Sequence, residues 1–228
     1  MKTIHKTSMF HALGCLRIRP RARTLLTSLC AMMLCIGLAG CSFLKPAHST
    51  TRYYVLTPVA ATPSGPGSLA VGLGHVKLPA YLFNTSLAVR KGTNEIEYLD
   101  SSIWAERLDT GFQRVLAANL ATVLTTDRIQ LSTWQRDDVT AEVYVAIEQF
   151  DVDATGRGVL VARWRVVSPG GDKMLKAETS RLSRQGPPPD AGVSGAIATL
   201  SELVADLSRQ LAQALQEATS GQAASASK

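Results

Sequence analysis

Thiol chemistry is confined to the start of this chain, because all four cysteines lie within its first 41 residues. Cys41 comes directly after an apolar run from Leu25 to Gly40 that ends in Leu-Ala-Gly. A thiolate is a nucleophile that can accept a diacylglyceryl group, and small residues before it let a peptidase reach the backbone. A disulfide framework would spread cysteines through the folded part. The pattern therefore predicts that Cys41 carries a lipid, while the other cysteines leave with a cleaved leader: Cys15, Cys30 and Cys35.

Residues 1–40 have the order of a lipoprotein signal peptide. Six lysines and arginines and no acidic residues precede Cys41, and Leu38 to Cys41 resembles a bacterial lipobox with cleavage after Gly40. The apolar run has 16 residues, fewer than the ~20 that cross a bilayer, so a retained transmembrane helix is the weaker alternative. A diacylglyceryl group plus a further acyl chain such as palmitate anchors durably, since each buried CH₂ contributes ~0.8 kcal/mol. Ser42, in place of an aspartate, favours the outer membrane in similar lipoproteins.

The net charge of +6 belongs to this leader. Of the 24 lysines and arginines, six precede Cys41, which leaves 18 against the 18 aspartates and glutamates of the remaining chain. A nucleic-acid-binding domain would carry an excess of basic residues in its folded part. No nucleic-acid partner is therefore expected.

Other groups that could do chemistry are sparse. His48 and His75 follow the anchor, and neither lies in a zinc-ligand spacing such as HxH or HExxH. Gly72 and Gly74 form a lone GxG without the third glycine and helix of a dinucleotide site, so we interpret them as glycines that ease a twisted strand. Aspartates occur in pairs in predicted loops, where they commonly form turns: Asp137, Asp138, Asp151 and Asp153. These patterns predict no metal, no cofactor beyond the lipid on Cys41, and no enzymatic activity.

Hydrophobic periodicity predicts the elements that follow the anchor. Alternating or β-branched residues predict strands over 52–57, 69–78, 86–90, 95–99, 139–148, 159–167 and 174–183. Within 159–167, Arg163 and Arg165 are expected on the solvated face. Apolar residues three and four apart predict two amphipathic helices. The first has caps among residues 100–102 and apolar positions from Leu108 to Leu124, and the second has apolar positions from Val193 to Leu215.

This order predicts an α+β fold, with two amphipathic helices packed on one face of a mostly antiparallel sheet. The expected organisation is a tether over residues 41–51, one domain over 52–217, and a disordered tail over 218–228 that is rich in Ala, Ser and Gly. The opposite face of the sheet is left free for a partner.

Four motifs in order carry a family resemblance. They are YYxL from Tyr53, LPxYL from Leu78, WAExL from Trp104 and LxxNL from Leu116. Together with the lipobox and a terminal amphipathic helix, they resemble the PqiC/YmbA family of ABC-type transport auxiliary lipoproteins over nearly all of the mature chain.

The resemblance implies a non-catalytic, periplasm-facing lipoprotein of the outer membrane that contributes to envelope integrity. Its partner would be an MCE-domain protein of an ABC system that moves phospholipids between membranes, and a ring of identical subunits is one arrangement that the resemblance implies. The motif residues expected to contact the partner are Pro79, Tyr81 and Leu82, beside a strand end, and Trp104, at the start of the first helix. For Trp104 and Tyr81, packing in the core is the competing interpretation.

Two other functions remain open from the sequence. The domain could itself hold a lipid in an apolar pocket between sheet and helices, as a periplasmic carrier, or it could be a structural envelope lipoprotein without a transport partner. Docking is favoured over carriage because only 13 Phe, Tyr and Trp residues occur in the whole chain, which leaves few bulky side chains to line a cavity.

Overall fold

One long strand organises the sheet of this protein. The structure is a computed structural model that describes residues 50–58 and 69–226, with side chains as far as residue 221. Cys41, the leader, most of the tether, the proline-rich segment 59–68 and the last two residues lie outside the described part. The strands are β1 (Arg52–Tyr54), β2 (Val71–Leu73), β3 (Ser86–Gly92), β4 (Glu95–Trp104), β5 (Ile129–Leu131), β6 (Ala141–Asp153), β7 (Arg157–Val167) and β8 (Met174–Gln185).

The central strand is β6. Along one edge it pairs antiparallel with β7, which pairs antiparallel with β8. Along its other edge, the beginning of β6 pairs in parallel with β2 and its end pairs in parallel with β3. The remaining pairs are β3–β4, antiparallel, and β1–β4 and β2–β5, parallel. The predicted α+β fold is confirmed, and the sheet is mixed because the pairs β1–β4, β2–β5, β2–β6 and β3–β6 are parallel.

Both helices cover one face of this sheet, as predicted. Helix α1 spans Leu108–Val123 and helix α2 spans Val193–Ala226. Leucines at helical spacing on α2 are fully buried: Leu200, Leu203, Leu207, Leu211 and Leu215. Phe112 of α1 meets Phe150 of β6 edge-on, with ring centroids 5.1 Å apart. Fully burying a leucine or phenylalanine contributes about 1.5–3 kcal/mol, so this layer supplies most of the hydrophobic stabilisation.

The alternation of β7 is confirmed. Its core-facing side chains are buried, whereas Arg163 and Arg165 are exposed on the opposite face of the sheet. A strand covered on one face only shows this period-two pattern. Along β7, the face opposite the helices therefore carries Arg163 and Arg165 together with the partly exposed Val159 and Val161.

The first helix begins later than the sequence indicated. Residues 100–102, predicted as its caps, lie in β4, and Trp104 is the last residue of that strand rather than the start of α1. Ser102 and Trp104 pair with β1, so residues whose side-chain oxygens were predicted to cap a helix belong to a strand instead. Asp109, in the first turn, is an acidic residue at the positive end of the helix dipole.

The last helix extends past the expected end of the domain at residue 217. Helical backbone continues to Ala226, through most of the segment predicted as a disordered tail. Thr219 and Ser220 donate their hydroxyls to carbonyls of the preceding turn, and alanine favours helix. Within the described residues, no helix is long and apolar enough to span a membrane.

Candidate functional site

The four predicted contact residues occupy one end of the sheet. Pro79 precedes a short 3₁₀-helix, Ala80–Phe83, and accepts a hydrogen bond from the Leu82 backbone N–H at 3.0 Å. Leu82 and Trp104 are buried, at 4 % and 8 % exposure, and Tyr81 is half-buried. Burial supports a packing role for Leu82 and Trp104. Direct contact with a partner by these four residues stays a prediction.

A buried carboxylate holds the 3₁₀-helix in place. Asp151 is 1 % exposed and accepts hydrogen bonds from Tyr81 Oη at 2.8 Å and from Arg90 Nε and Nη2 at 3.0 and 2.7 Å. Gln149 Nε2 donates a further bond at 3.0 Å. We call these four side chains the Asp151 clasp. Both carboxylate oxygens thus accept two hydrogen bonds each, which offsets the cost of burying the charge.

Tyr81 makes two further bonds within this arrangement. Its hydroxyl accepts from the Phe150 N–H at 3.1 Å, and its carbonyl accepts from Tyr98 Oη at 2.9 Å. Burial, followed by the neighbouring Asp151 charge, raises the pKa of Tyr81 well above its ordinary value, although the Phe150 bond opposes this. The hydrogen bond to Asp151 raises the pKa of Arg90. Tyr81 therefore stays neutral, and its hydrogen bonds connect the 3₁₀-helix to β6.

The exposed residue of this segment is one that the sequence did not single out. Phe83 is 58 % exposed, and it stands at an open cleft of about 380 Å³. One wall of this Phe83 cleft is formed by residues 82–85 and the other by residues 104–109. The Arg107 guanidinium lies 6.0 Å from the Phe83 ring centroid, at the limit of a cation–π contact. The sequence does contain a sign of this exposed site, because an apolar residue directly follows the LPxYL motif. The core takes Leu82 from this segment and leaves Phe83 exposed.

The charges around the cleft are paired. Arg107 contacts Asp109 at 2.6 Å, and Arg114 contacts Glu106 at 2.5 Å. The hydrogen bond from Arg107 lowers the pKa of Asp109 despite partial burial. Ion pairs of this kind orient side chains at a rim. The cleft therefore combines an apolar ring with a polar rim, as protein-binding surfaces do.

The cleft also lies beside the strand that leads in from the tether. The Ala105 N–H donates to the Tyr54 carbonyl at 2.8 Å, and the Trp104 N–H donates to the Thr85 carbonyl at 2.8 Å. On the tether-proximal segment, Tyr53 and Val55 are exposed at 69 % and 42 %. Apolar surface is thus presented both by residues 53–55 and by the cleft.

A family profile decides the identification. Residues 54–212 match the family described as the ABC-type transport auxiliary lipoprotein component. The chain belongs to this family. No curated protein matches it.

Solved structures share the fold of this auxiliary lipoprotein. One, an uncharacterized protein, is 18 % identical with a TM-score of 0.61, and the match covers 73 % of this chain and 99 % of that one. Another, XCC0632 from Xanthomonas campestris, of the family DUF330, is 10 % identical with a TM-score of 0.58, over 76 % and 99 % of the two chains. At these identities the likeness establishes the fold alone.

The aspartates predicted in loops take other places in the auxiliary lipoprotein. Asp151 and Asp153 belong to β6, because the strand continues to pair with β7 and β3 beyond its predicted end at residue 148. Asp153 accepts from the Thr155 and Arg157 N–H groups, at 2.8 and 3.0 Å, and orders the turn into β7. Asp137 and Asp138 lie in a short 3₁₀-helix, Arg136–Asp138. Among the described residues, no three histidine, cysteine or acidic side chains are grouped to hold a metal ion.

The lone GxG makes room for aromatic rings. A Cβ on Gly72 would lie 2.5 Å from the Trp134 ring, and one on Gly74 would lie 2.7 Å from Tyr144 Cδ1. Trp134 Nε1 and Tyr144 Oη both donate to the carboxylate of Glu142, at 3.1 and 2.8 Å. These glycines therefore serve aromatic packing on the face of the sheet opposite the helices, which differs from the strand twist that the sequence indicated.

Proposed function

We propose that this auxiliary lipoprotein is a non-catalytic docking subunit of an MCE-type ABC system that moves lipids between membranes, anchored through acylated Cys41 to the periplasmic face of the outer membrane. The observation that carries the proposal is the Phe83 cleft. The Phe83 ring is 58 % exposed, and the 3₁₀-helix that carries it is fixed by the hydrogen bonds of the Asp151 clasp. Aromatic residues, phenylalanine included, and arginine are enriched in protein–protein interfaces relative to the rest of the surface.

Docking accounts for the described cavities better than lipid carriage. Depressions of about 380, 320 and 210 Å³ are open to solvent and lined in part by charged residues. Between sheet and helices, the side chains of Phe112, Leu116 and Leu207 are fully buried and pack into one core. A lipid carrier would place its apolar pocket in this layer.

The test measures binding of the purified, acylated protein in nanodiscs to the MCE-domain protein of the same bacterium. Phe83→Ala removes the exposed ring, and truncating a hot-spot residue costs about 2 kcal/mol or more, about 30-fold in affinity. Met174→Ala, at a residue that is 61 % exposed on β8, is the matched control and should change the affinity less than about threefold. Equal losses in both variants, or no binding by the native protein, would contradict docking through the cleft.

A second measurement separates docking from carriage. Protein purified from envelopes is analysed for bound lipid by mass spectrometry, after removal of the covalently anchored chains. Docking predicts only background lipid, whereas a stoichiometric lipid would favour the carrier.

A further inference from the structure

A second depression lies on the face of the sheet opposite the helices. It has a volume of about 320 Å³, and Ala146 is one of the residues that line it. We call it the Ala146 trough. The side chains that surround Ala146 are those of His75, Lys77, Tyr144, Arg163 and Arg165.

Strand register places two cations on either side of Ala146. Lys77 bridges to Ala146 on one edge of β6, and Arg163 pairs with Ala146 on the other edge. Neighbouring strands lie ≈ 4.8 Å apart, so the Cα atoms of Lys77 and Arg163 are about 10 Å apart. The methyl group of Ala146 lies between them and forms the floor of the trough. Tyr144 pairs with Arg165 in the next row.

Two of the trough side chains are held in position. Tyr144 lies against Gly74 and donates its hydroxyl to Glu142 at 2.8 Å. The Arg165 guanidinium stacks on the Tyr144 ring at 4.8 Å. A stacked guanidinium keeps its in-plane N–H groups available for an anion, so Arg165 offers a preoriented donor edge.

The trough carries positive charge that its own carboxylates neutralise only in part. Arg163 contacts Glu148 at 2.6 Å. Within the described residues, neither Lys77 nor Arg165 forms an ion pair. Arg181, opposite Val161 on the neighbouring strand, adds an exposed cation to the same face. The mature chain as a whole has equal numbers of basic and acidic residues, so this excess is local and complementary to an anion.

We infer that the Ala146 trough binds the phosphodiester headgroup of an anionic phospholipid in the membrane, with Lys77 and Arg163 on either side of the phosphate and Arg165 donating from the edge. Cations on both sides of a narrow floor fit one compact phosphate between them, whereas an acidic peptide spreads its charges along a strand. Arginine forks match phosphate oxygens in geometry. Since the trough is shallow and open, the lipid stays in the bilayer and the sheet face rests on its surface.

The tether is short enough for this contact. From Cys41 to Arg52 the chain reaches at most about 40 Å when fully extended, so the sheet face of an anchored domain is within range of headgroups. Access to a membrane rests on the proposed anchoring, but the test uses unacylated protein. A failure of one idea is therefore distinguishable from a failure of the other.

The experiment measures flotation of the mature chain carrying Cys41→Ser with vesicles of phosphatidylglycerol or of phosphatidylcholine. Binding is expected to the anionic vesicles. Each basic residue near such a surface contributes about 1 kcal/mol, so K77Q/R165Q should lower the affinity about 30-fold. R52Q/R128Q removes the same charge from exposed residues outside the trough, and it should retain most of the affinity.

A second variant separates a built site from diffuse attraction. Ala146→Leu keeps every charge but fills the floor of the trough, and it should remove most of the preference for phosphatidylglycerol. Circular dichroism and thermal melts establish that each variant is folded, as expected for substitutions at partly or fully exposed positions.

Four results would overturn the inference. They are equal losses in the two double variants, unchanged binding by Ala146→Leu, binding of soluble glycerophosphoglycerol without binding to vesicles, and displacement from vesicles by an acidic peptide at a lower concentration than by glycerophosphoglycerol. The last result would assign the trough to an acidic protein segment.

Discussion

Loss of the Asp151 charge from the Asp151 clasp should lower the free energy of unfolding of the domain. Asp151→Asn keeps the size of the side chain but replaces a carboxylate oxygen by an amide that donates, so one amide N–H group faces a donor of Arg90, Tyr81 or Gln149. Arg90, with 26 % of its side chain exposed, then keeps its charge next to a neutral group.

The expected cost follows from burial. Breaking a buried ion pair by removing one partner costs 3–5 kcal/mol, and the partial exposure of Arg90 places this case at about 3 kcal/mol. For a domain of this size, that corresponds to a fall in Tm of about 6–12 °C. The matched control is Asp172→Asn, whose partner Arg136 and own side chain are 63 % and 61 % exposed. An exposed pair contributes ≈ 0–1 kcal/mol.

Urea denaturation of the mature, unacylated chain measures both variants, and Arg90→Gln completes a double-mutant cycle. The double variant should cost less than the sum of the single variants, because neither charge is then left alone. Equal free energies of unfolding for Asp151→Asn and Asp172→Asn, or strict additivity with Arg90→Gln, would refute this reasoning.

Three further predictions use the same denaturation assay. Gly74→Ala should lower the free energy of unfolding by about 1–3 kcal/mol, because the added Cβ would meet the Tyr144 ring. Gly92 has open space around it, so Gly92→Ala should change this free energy by no more than about 0.5 kcal/mol. Equal losses in the two variants would contradict the close packing of Gly74 against Tyr144. Leu207→Ala in the core should lower the free energy of unfolding by about 2–5 kcal/mol. Val123→Ala, at an exposed position, should lower it by less than about 1 kcal/mol. Similar losses in the two variants would contradict the assignment of Leu207 to the core. Burial alone would raise the pKa of Glu142, but hydrogen bonds from Trp134, Gly170 and Tyr144 outweigh it and hold the pKa below its ordinary 4.5. The stabilisation that ionised Glu142 gives the fold is therefore complete above pH 4.5 and is lost as the pH falls through the lower pKa of the folded state. Glu142→Gln should therefore reduce the loss of unfolding free energy between pH 5 and 3. An unchanged dependence of this free energy on pH would show that Glu142 contributes none of it.

The sequence predicted the features that depend on local spacing. Alternation along β7 placed Arg163 and Arg165 on the exposed face, and spacings of three and four residues predicted the core of α1 and α2. These periods are properties of the backbone itself. The sheet, the helices and the open face could therefore be predicted from one chain.

Features that depend on distant partners could not be predicted in this way. β4 runs on to Trp104 because β1 pairs with it in parallel, and local cap residues carry no information about that pairing. Asp151 is buried because Tyr81 and Arg90, 70 and 61 residues away, converge on it. Phe83 is exposed because its neighbour Leu82 takes the buried position. In each case the sequence supplied the residue type and the tertiary fold supplied its role.

We propose above that the lipid-anchored domain binds an MCE-domain protein at the Phe83 cleft. The most direct measurement replaces Phe83 by a photoreactive phenylalanine analogue in living cells and identifies the crosslinked product by mass spectrometry, with the same replacement at exposed Met174 as the control. Docking at the Phe83 cleft should give an adduct with the MCE-domain protein from position 83 and none from position 174. Equal adducts from the two positions, or an adduct from position 174 alone, would contradict it.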